Sequence, residues 1–493
     1  MKAKLVLSLL LLSNIFFTGV DKLQAQKLSG QEFWFTLPRM APLQGNVEGL
    51  FLYIVSDYCV DDAYVEAPGL GYRQTFTVDR GSYTRLQIPL TVTGTPIYHN
   101  SPRQVENKGL FLKSEYPVVV YAVTYESASV DGEVIIPLNQ LGKKYIVSNR
   151  GGIVSGQMRN TIVATEDNTD VEINTWDNAN NPIIYNVTLN KGQTWQWSRT
   201  RANIAGDYPR GMNGTPSSFT GSVVNADKPI AIIGSIDCAG GNECGACENT
   251  FITHQPEKDW GTKHVTAQVI PRSNPALGAS CNPFGNVISG DFIEVLGEVG
   301  TNVTINDHRG NRTATIAAPP YDAGAGYGYG YLFFEIPVNG TDYGFANTVI
   351  TSDKPVQVTQ HPKGWQTDSQ GSSDPEAIAV FPTKTWTTSY IFAILSTATT
   401  LNNDFTLIVD NSVANAGDPQ PINNFEYDDG NLVRNVNNVP GATAWVRIGT
   451  SNYFYKRIPS ILNTNTLRIY SRTLTPFGIY TSSRGQAESY IQG

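Results

Sequence analysis

Five cysteines, five histidines and several acidic and aromatic clusters are the residues through which this chain could do chemistry. Four of the cysteines, Cys238, Cys244, Cys247 and Cys281, fall close together, and Cys59 stands apart. Cys244-Gly-Ala-Cys247 has the spacing of a redox dithiol, but a thioredoxin-type dithiol opens a helix, and these residues lie in a Gly-rich stretch. A four-thiolate zinc site is the other rival, weakened because the spacing is not a pair of CxxC knuckles. In an oxidising compartment structural disulfides are the first expectation, with zinc and dithiol chemistry as alternatives. One thiol is then left over, and Cys59 is the natural candidate.

The histidines, His99, His254, His264, His308 and His361, form no HExxH pair, and no Gly-x-Ser-x-Gly elbow accompanies them. His264 follows Trp260-Gly261 inside a strand-like run, so packing is its expected role. Carboxylates cluster at Asp57, Asp61 and Asp62, at Glu166, Asp167 and Asp170, and at Asp428 and Asp429. A glycosidase needs two of them facing across roughly 5–10 Å, whereas Glu166 and Asp167 read as turn residues. No cofactor is expected; calcium is the one ion that oxygen-rich loops outside a cell would suit, although no EF-hand or nonapeptide pattern occurs. Trp195 and Trp197 alternate along a strand and read as core. Tyr327, Tyr329 and Tyr331 alternate among glycines, which makes them the candidate ligand-contact aromatics.

The elements that must position these residues are constrained by composition. The chain has 493 residues, 40% hydrophobic and 16% charged, with 45 Gly and 28 Pro. Such a chain can bury a large core, which excludes disorder. It carries a net charge of −8 and no basic block, which excludes a nucleic-acid partner. Lys2 and Lys4, the apolar run Leu5 to Phe17 and the ending Leu23-Gln24-Ala25 have the order of a secretory signal over residues 1–25. Removing it takes away three Lys and one Asp and moves the charge to −10. No later stretch approaches the ~20 apolar residues of a spanning helix, so the mature chain is expected to be secreted or cell-surface associated, with no transmembrane segment.

Helical periodicity is nearly absent, while short runs rich in Val, Ile, Thr, Tyr and Phe recur between Gly, Asn, Asp and Pro, which predicts an all-β protein. A longer period overlies them. Glu115-Tyr116-Pro117, Asp227-Lys228-Pro229 and Asp353-Lys354-Pro355 each lead a β run, and Thr475-Pro476 is a degenerate fourth copy. Pro137 with Leu141-Gly142, Pro256 with Trp260-Gly261 and Pro382 with Trp386 keep step. The mature chain therefore divides into four β modules of about 110–125 residues, at 26–125, 126–237, 238–363 and 364–493. Each is expected to be β-sandwich-like, packed in tandem, with a four-fold propeller-like ring as the alternative. The proline is read as the first residue of a closing strand, with its Asp-Lys in the turn before it.

Gly30-Gln31-Glu32-Phe33-Trp34, Lys108-Gly109-Leu110 through Tyr121, Asp131-Gly132 before Ile136-Pro137, Asn160 through Thr169, Gly221-Ser222-Val223-Val224 before Asp227-Lys228-Pro229, and Gln255-Pro256 with Trp260-Gly261 occur in an order that resembles the IgG Fc-binding protein N-terminal domain family, over most of residues 30–485. The resemblance implies a Cys238–Cys247 bridge, and leaves Cys244 and Cys281 as local additions that could form a second. Two positions depart from the family pattern, Ser373-Asp374-Pro375 where Gly-Asp-Pro is usual and Glu248-Asn249 where Asp-His is usual. The resulting expectation is an exported, non-enzymatic binding or adhesion protein that presents loops to a protein or glycan ligand outside the cell, a glycoprotein or cell-surface polymer. A carbohydrate-active enzyme or carbohydrate-binding module, and a structural subunit of an extracellular assembly, are the alternatives.

Overall fold

The computed structural model describes residues 28–39, 47–126, 129–148, 152–177, 181–200, 219–240, 248–267, 289–319, 327–337, 347–362, 377–393, 402–412, 423–428, 432–459, 466–485 and 488–492. Among them the regular structure is β-strand with short 3₁₀ turns. The strands group into four sandwiches, and each of the first three is organised by one strand that belongs to both of its sheets.

In the first module that crossing strand is Leu110–Glu126. Its first half pairs with the lead strand Gly30–Phe35 on one side and with Val60–Ala67 on the other, which in turn pairs with Tyr72–Val78. Its second half pairs with Val47–Val55, itself paired with Tyr83–Ile88, and with Ser129–Val134. The crossing strands Val223–Gly240 and Thr348–His361 repeat this arrangement in the second and third modules. In the fourth, the crossing strand is split into Thr466–Ser471 and Phe477–Gly485, one per sheet.

The repeated proline lies at the change of sheet rather than at a strand start, which corrects the expectation above. Pro117 is interior to Leu110–Glu126, Pro229 to Val223–Gly240 and Pro355 to Thr348–His361. The lead strands show why. Gly30 pairs with Val118 but Glu32 with Lys113; Gly142 with Ile230 but Lys144 with Asn225; Gly261 with Val356 but Lys263 with Thr351. Each crossing strand thus bulges around its proline, where a backbone N–H would have no ladder partner, and proline has none to leave unpaired.

The four modules close into a ring. The strands that follow the crossing strands, Ser129–Val134, Glu248–Thr253, Ile378–Val380 and Glu488–Gln492, are neighbours in cyclic order, the last lying beside the first. Tandem sandwiches and a four-fold ring, alternatives on sequence grounds, are both present: the sandwich is the module and the ring is the arrangement of modules. The segment between the fourth and fifth strands of each module docks on the module before it. Gly192 lies against Gly109 and Trp34, Pro319 against Gly221, and Gly449 against Asn306. The ring closes in the same way, with Thr466 Oγ1 of the fourth module donating to the Gly81 carbonyl of the first.

Glycine and proline set the junctions. After each of the first three inner strands, Pro137, Pro256 and Pro382 start the 3₁₀ turns Leu138–Gln140, Glu257–Asp259 and Thr383–Thr385. A Cβ placed on Gly30, Gly142 or Gly261 would stand 2.3 Å from the Cβ of Pro137, Pro256 or Pro382 respectively. The glycine of each of the first three lead strands is therefore the floor on which the next junction rests. Gly142→Ala and Gly261→Ala are expected to lower the unfolding free energy by about 1–3 kcal/mol each through forced displacement of the proline. Chemical denaturation measures this, and a change under a few tenths of a kcal/mol at both sites would remove the packing argument.

Candidate functional site

The residues singled out by chemistry are spent largely on holding the ring together. Tyr327, Tyr329 and Tyr331 lie at the seam of the second and third modules, Tyr329 buried and the other two part-exposed. Tyr327 meets Trp176 edge-on at 5.2 Å and donates to the Thr175 carbonyl at 3.1 Å. Tyr329 packs at right angles on Trp260, accepts a hydrogen bond from Lys144 Nζ at 2.6 Å and donates to Glu257. Trp195 and Trp197, read as core, are buried together in the second sandwich. Cys59 is exposed and a free thiol. Cys238 is on the crossing strand Val223–Gly240, while Cys244, Cys247 and Cys281 lie outside the described residues, as does the signal-like segment 1–25.

His99 has the outline of a catalytic base without its geometry. Its Nδ1 is 2.9 Å from Thr194 Oγ1 and 3.6 Å from Glu106 Oε2, and its Nε2 is 2.9 Å from the Ser101 carbonyl. A triad places hydroxyl and carboxylate on opposite ring nitrogens. Here both face Nδ1, Nε2 donates to a carbonyl, and the ring is buried between the first two modules, which lowers its pKa. His264 is buried in the lead strand of the third module, at the place that Tyr145 and Tyr390 hold in the second and fourth. Those tyrosines bridge the crossing bulge, Tyr145 Oη donating to the Ile230 carbonyl at 2.6 Å and Tyr390 Oη to that of Phe477 at 2.8 Å.

The acidic clusters divide into clamps and buried groups. Asp227 Oδ1 accepts the Asp170 amide at 2.9 Å, Asp353 Oδ1 accepts the Asn302 amide at 2.9 Å, and Glu115 Oε1 accepts the Asp61 amide at 2.7 Å. The acid before each crossing proline thus ties down the strand beside it. In the turn that carries Glu166 and Asp167, Asp167 Oδ1 accepts the Lys191 amide at 3.0 Å, which is the turn role read from sequence. The same face of the second module forms a shallow groove lined by Asp170, Glu172, Asn186, Thr188 and Asp227. Among the described residues no three His, Cys, Asp or Glu side chains are grouped to hold a metal ion.

At the ring centre Asp131 and Glu133 are buried on the inner strand Ser129–Val134. Asp131 Oδ1 accepts the Gly132 amide at 2.8 Å, and Oδ2 accepts the Phe251 amide of the next module at 2.5 Å. Phe251 belongs to an inner strand whose second edge is in no ladder among the described residues, so this carboxyl supplies the acceptor that an edge strand lacks. Two further features escaped sequence reading, the stacked and exposed rings of Tyr58 and Tyr116. The signal was present in the repeat columns: Tyr116 stands where Lys228 and Lys354 stand in the next two modules.

Burial outweighs the two amide hydrogen bonds at Asp131 and raises its pKa from 3.8 to about 8; Glu133 is raised as well, by burial first. Between those limits the fold holds a proton that the unfolded chain has lost, so stability declines as pH rises and levels off above the upper limit. His254 and His264 act in the opposite sense, because burial lowers them to about 3, and their penalty appears only as pH falls below their unfolded value of 6.5. Between pH 6.5 and 8 the acid therefore dominates. Wild type is expected to lose about 2 kcal/mol relative to Asp131→Asn across that window, at about 1.4 kcal/mol per pH unit. Urea unfolding of both chains at the two pH values checks it, and a pH-independent difference would mean that Asp131 is ionised in the fold.

No curated protein matches this chain. Among solved structures it is similar to a tetra-tandem repeat from the extending region of a large adhesion protein, 11% identical over 96% of both chains with a TM-score of 0.10. It is also similar to an α-L-rhamnosidase of Streptomyces avermitilis in complex with L-rhamnose, 10% identical over 75% of this chain and 45% of that one, with a TM-score of 0.13. Likenesses this weak bear on neither fold nor function. The family match is of another order: the family described as IgGFc binding protein matches residues 131–482, well over half of the sequence, and this chain belongs to that family.

Proposed function

We propose that the protein is an exported, non-enzymatic binding or adhesion protein, secreted or held at the cell surface, whose ring presents loops to a glycoprotein or cell-surface polymer. Family membership over residues 131–482 is the observation that carries this reading. The scaffold supports it, since His99, Asp131, Tyr329 and the acids before the crossing prolines serve seams, edges and clamps. Loops on a rigid β frame are suited to recognition because the frame bears the folding cost. Tyr327 and Tyr331, part-exposed at the seam of the second and third modules, are the ligand contacts of this reading.

Module limits that follow the strand pairing fall at Pro137, Pro256 and Pro382, shortly after 125, 237 and 363. Bridges Cys238–Cys247 and Cys244–Cys281 complete the reading, with Cys59 left free. A second reading, a subunit of an extracellular assembly, draws on the outer strand Pro182–Leu189, which has no charged residue, an edge unpaired among the described residues and Ile184 56% exposed.

Purified mature protein is expected to capture at least one member of a panel of mucins, immunoglobulin and polysaccharides, measured by pull-down. Failure across the whole panel, together with self-association in sedimentation, would favour the assembly reading. Peptide mapping without reduction is expected to recover both bridges, and free thiols at Cys238 and Cys247 would refute the pairing.

A further inference from the structure

The repeat supplies its own standard for what a crossing point contains. In the second module Lys228 Nζ donates to the Asp167 and Asn168 carbonyls, both at 2.6 Å, and in the third Lys354 Nζ lies 2.6 Å from Glu298 Oε2. Each ammonium, one residue before the crossing proline, is thus absorbed by the turn that faces it. The first module keeps the acidic half of this arrangement, with Glu115 accepting the Asp61 and Asp62 amides as Asp227 and Asp353 accept theirs. The lysine is missing, because the residue is Tyr116.

The facing turn has changed to match. It carries Tyr58 between Asp57 and Asp61, and the Tyr58 and Tyr116 rings stack with centroids 5.3 Å apart and planes 15° from parallel. Tyr58 is 51% exposed and Tyr116 44%. Asp61 and Asp62 are exposed beside them, and Arg468 of the fourth module lies 3.9 Å from Asp57. The same module also displays what a tyrosine ring and a carboxylate hold together: the Arg73 guanidinium lies 3.5 Å over the Tyr64 ring, with Glu66 Oε2 3.0 Å from Nη1. Ring quadrupole and carboxylate attract the same charge.

We propose that the Tyr58–Tyr116 stack docks a lysine or arginine side chain from a basic segment of a partner protein, filling from outside the place that Lys228 and Lys354 fill from within. This names one contact of the binding function proposed above and rests on that reading. The charge balance selects this occupant: acidic groups surround the rings, and the repeat shows a cation at the equivalent place twice.

The test titrates the full mature chain with a labelled hexa-arginine peptide and with hexa-citrulline, its uncharged counterpart. The arginine peptide is expected to bind and the citrulline peptide not. Tyr58→Ala and Tyr116→Ala are each expected to weaken binding by about 2- to 5-fold, the range of an exposed cation–π contact. Neither changes the charge of the chain, so general attraction to an acidic protein is left intact. Tyr116→Lys restores the internal cation and is expected to weaken the binding at least as much as Tyr116→Ala, with the unfolding midpoint unchanged. Equal binding of the citrulline peptide, wild-type affinity in Tyr116→Lys, or no binding by wild type would each overturn the site. The pull-down panel is repeated with Tyr116→Lys. Equal capture by both chains would sink this site and keep the binding function, whereas no capture by wild type would remove the function itself.

Discussion

A strand that leaves one sheet and enters another has to give up its ladder at the point of departure, and the rest of this molecule is arranged around that break. At that break a backbone amide has no neighbouring strand to donate to. Pro117, Pro229 and Pro355 remove the amide in question, and the bulge around each lets one lead strand pair with both halves of the crossing strand. The acid two residues earlier accepts an amide from the adjacent strand, so the break is also braced from the side. The fourth module tests the logic by departing from it. No acid precedes Pro476, the strand is interrupted, and Ser471 Oγ accepts the Thr475 amide at 3.0 Å as a local turn instead.

Because the crossing strand ties both sheets together, each module is stiff enough to be gripped by its neighbours. Lead strands pack on the outer face of the following module's second sheet, and the cycle is completed where Ile391 and Ala393 of the fourth module meet Tyr53, Val119 and Tyr121 of the first. Phe251 of the second module is buried in the core of the first. Seams of this kind are continuous with the sandwich cores, unlike the polar, loosely packed contacts between independent domains. The ring is therefore one folding body made of four copies, and its seams account for the burial of Tyr329, Trp260 and Leu296, which no single module could cover.

The sequence carried the period, the strands and the columns, because turn chemistry is local and repeats it four times. Pro117, Pro229 and Pro355 were visible, as were the junction prolines with their glycines. Their role was not: a proline at a strand start and a proline at a change of sheet leave the same trace in one dimension, and only the pairing of Gly30 with Val118 and of Glu32 with Lys113 separates them. Tyr327, Tyr329 and Tyr331 were legible as an alternating row but not as a seam, since the surface that covers Tyr329 comes from Lys144 and Glu257. Tyr58 and Tyr116 were overlooked for a related reason. Neither stands out in its own neighbourhood, and Tyr116 becomes informative only in the column of Lys228 and Lys354.

A repeated scaffold assigns function by exception. Positions that agree across the first three modules, such as the crossing prolines, the clamping acids and the junction glycines, are explained by geometry that those modules share, and so they carry no information about a ligand. Positions that break the column without a folding reason are where selection for something else can act. Two kinds of exception occur here. Asp131 and Glu133 break the pattern inward: the second-module residue equivalent to Glu133 is Ile252, and the acids sit where ring neighbours meet, so their consequence is a pH-dependent stability. Tyr116 breaks it outward, on an exposed rim, at a place where the second and third copies set their own lysine against the facing turn. An inward exception is answered by the fold itself, whereas an outward one is left for a partner to answer.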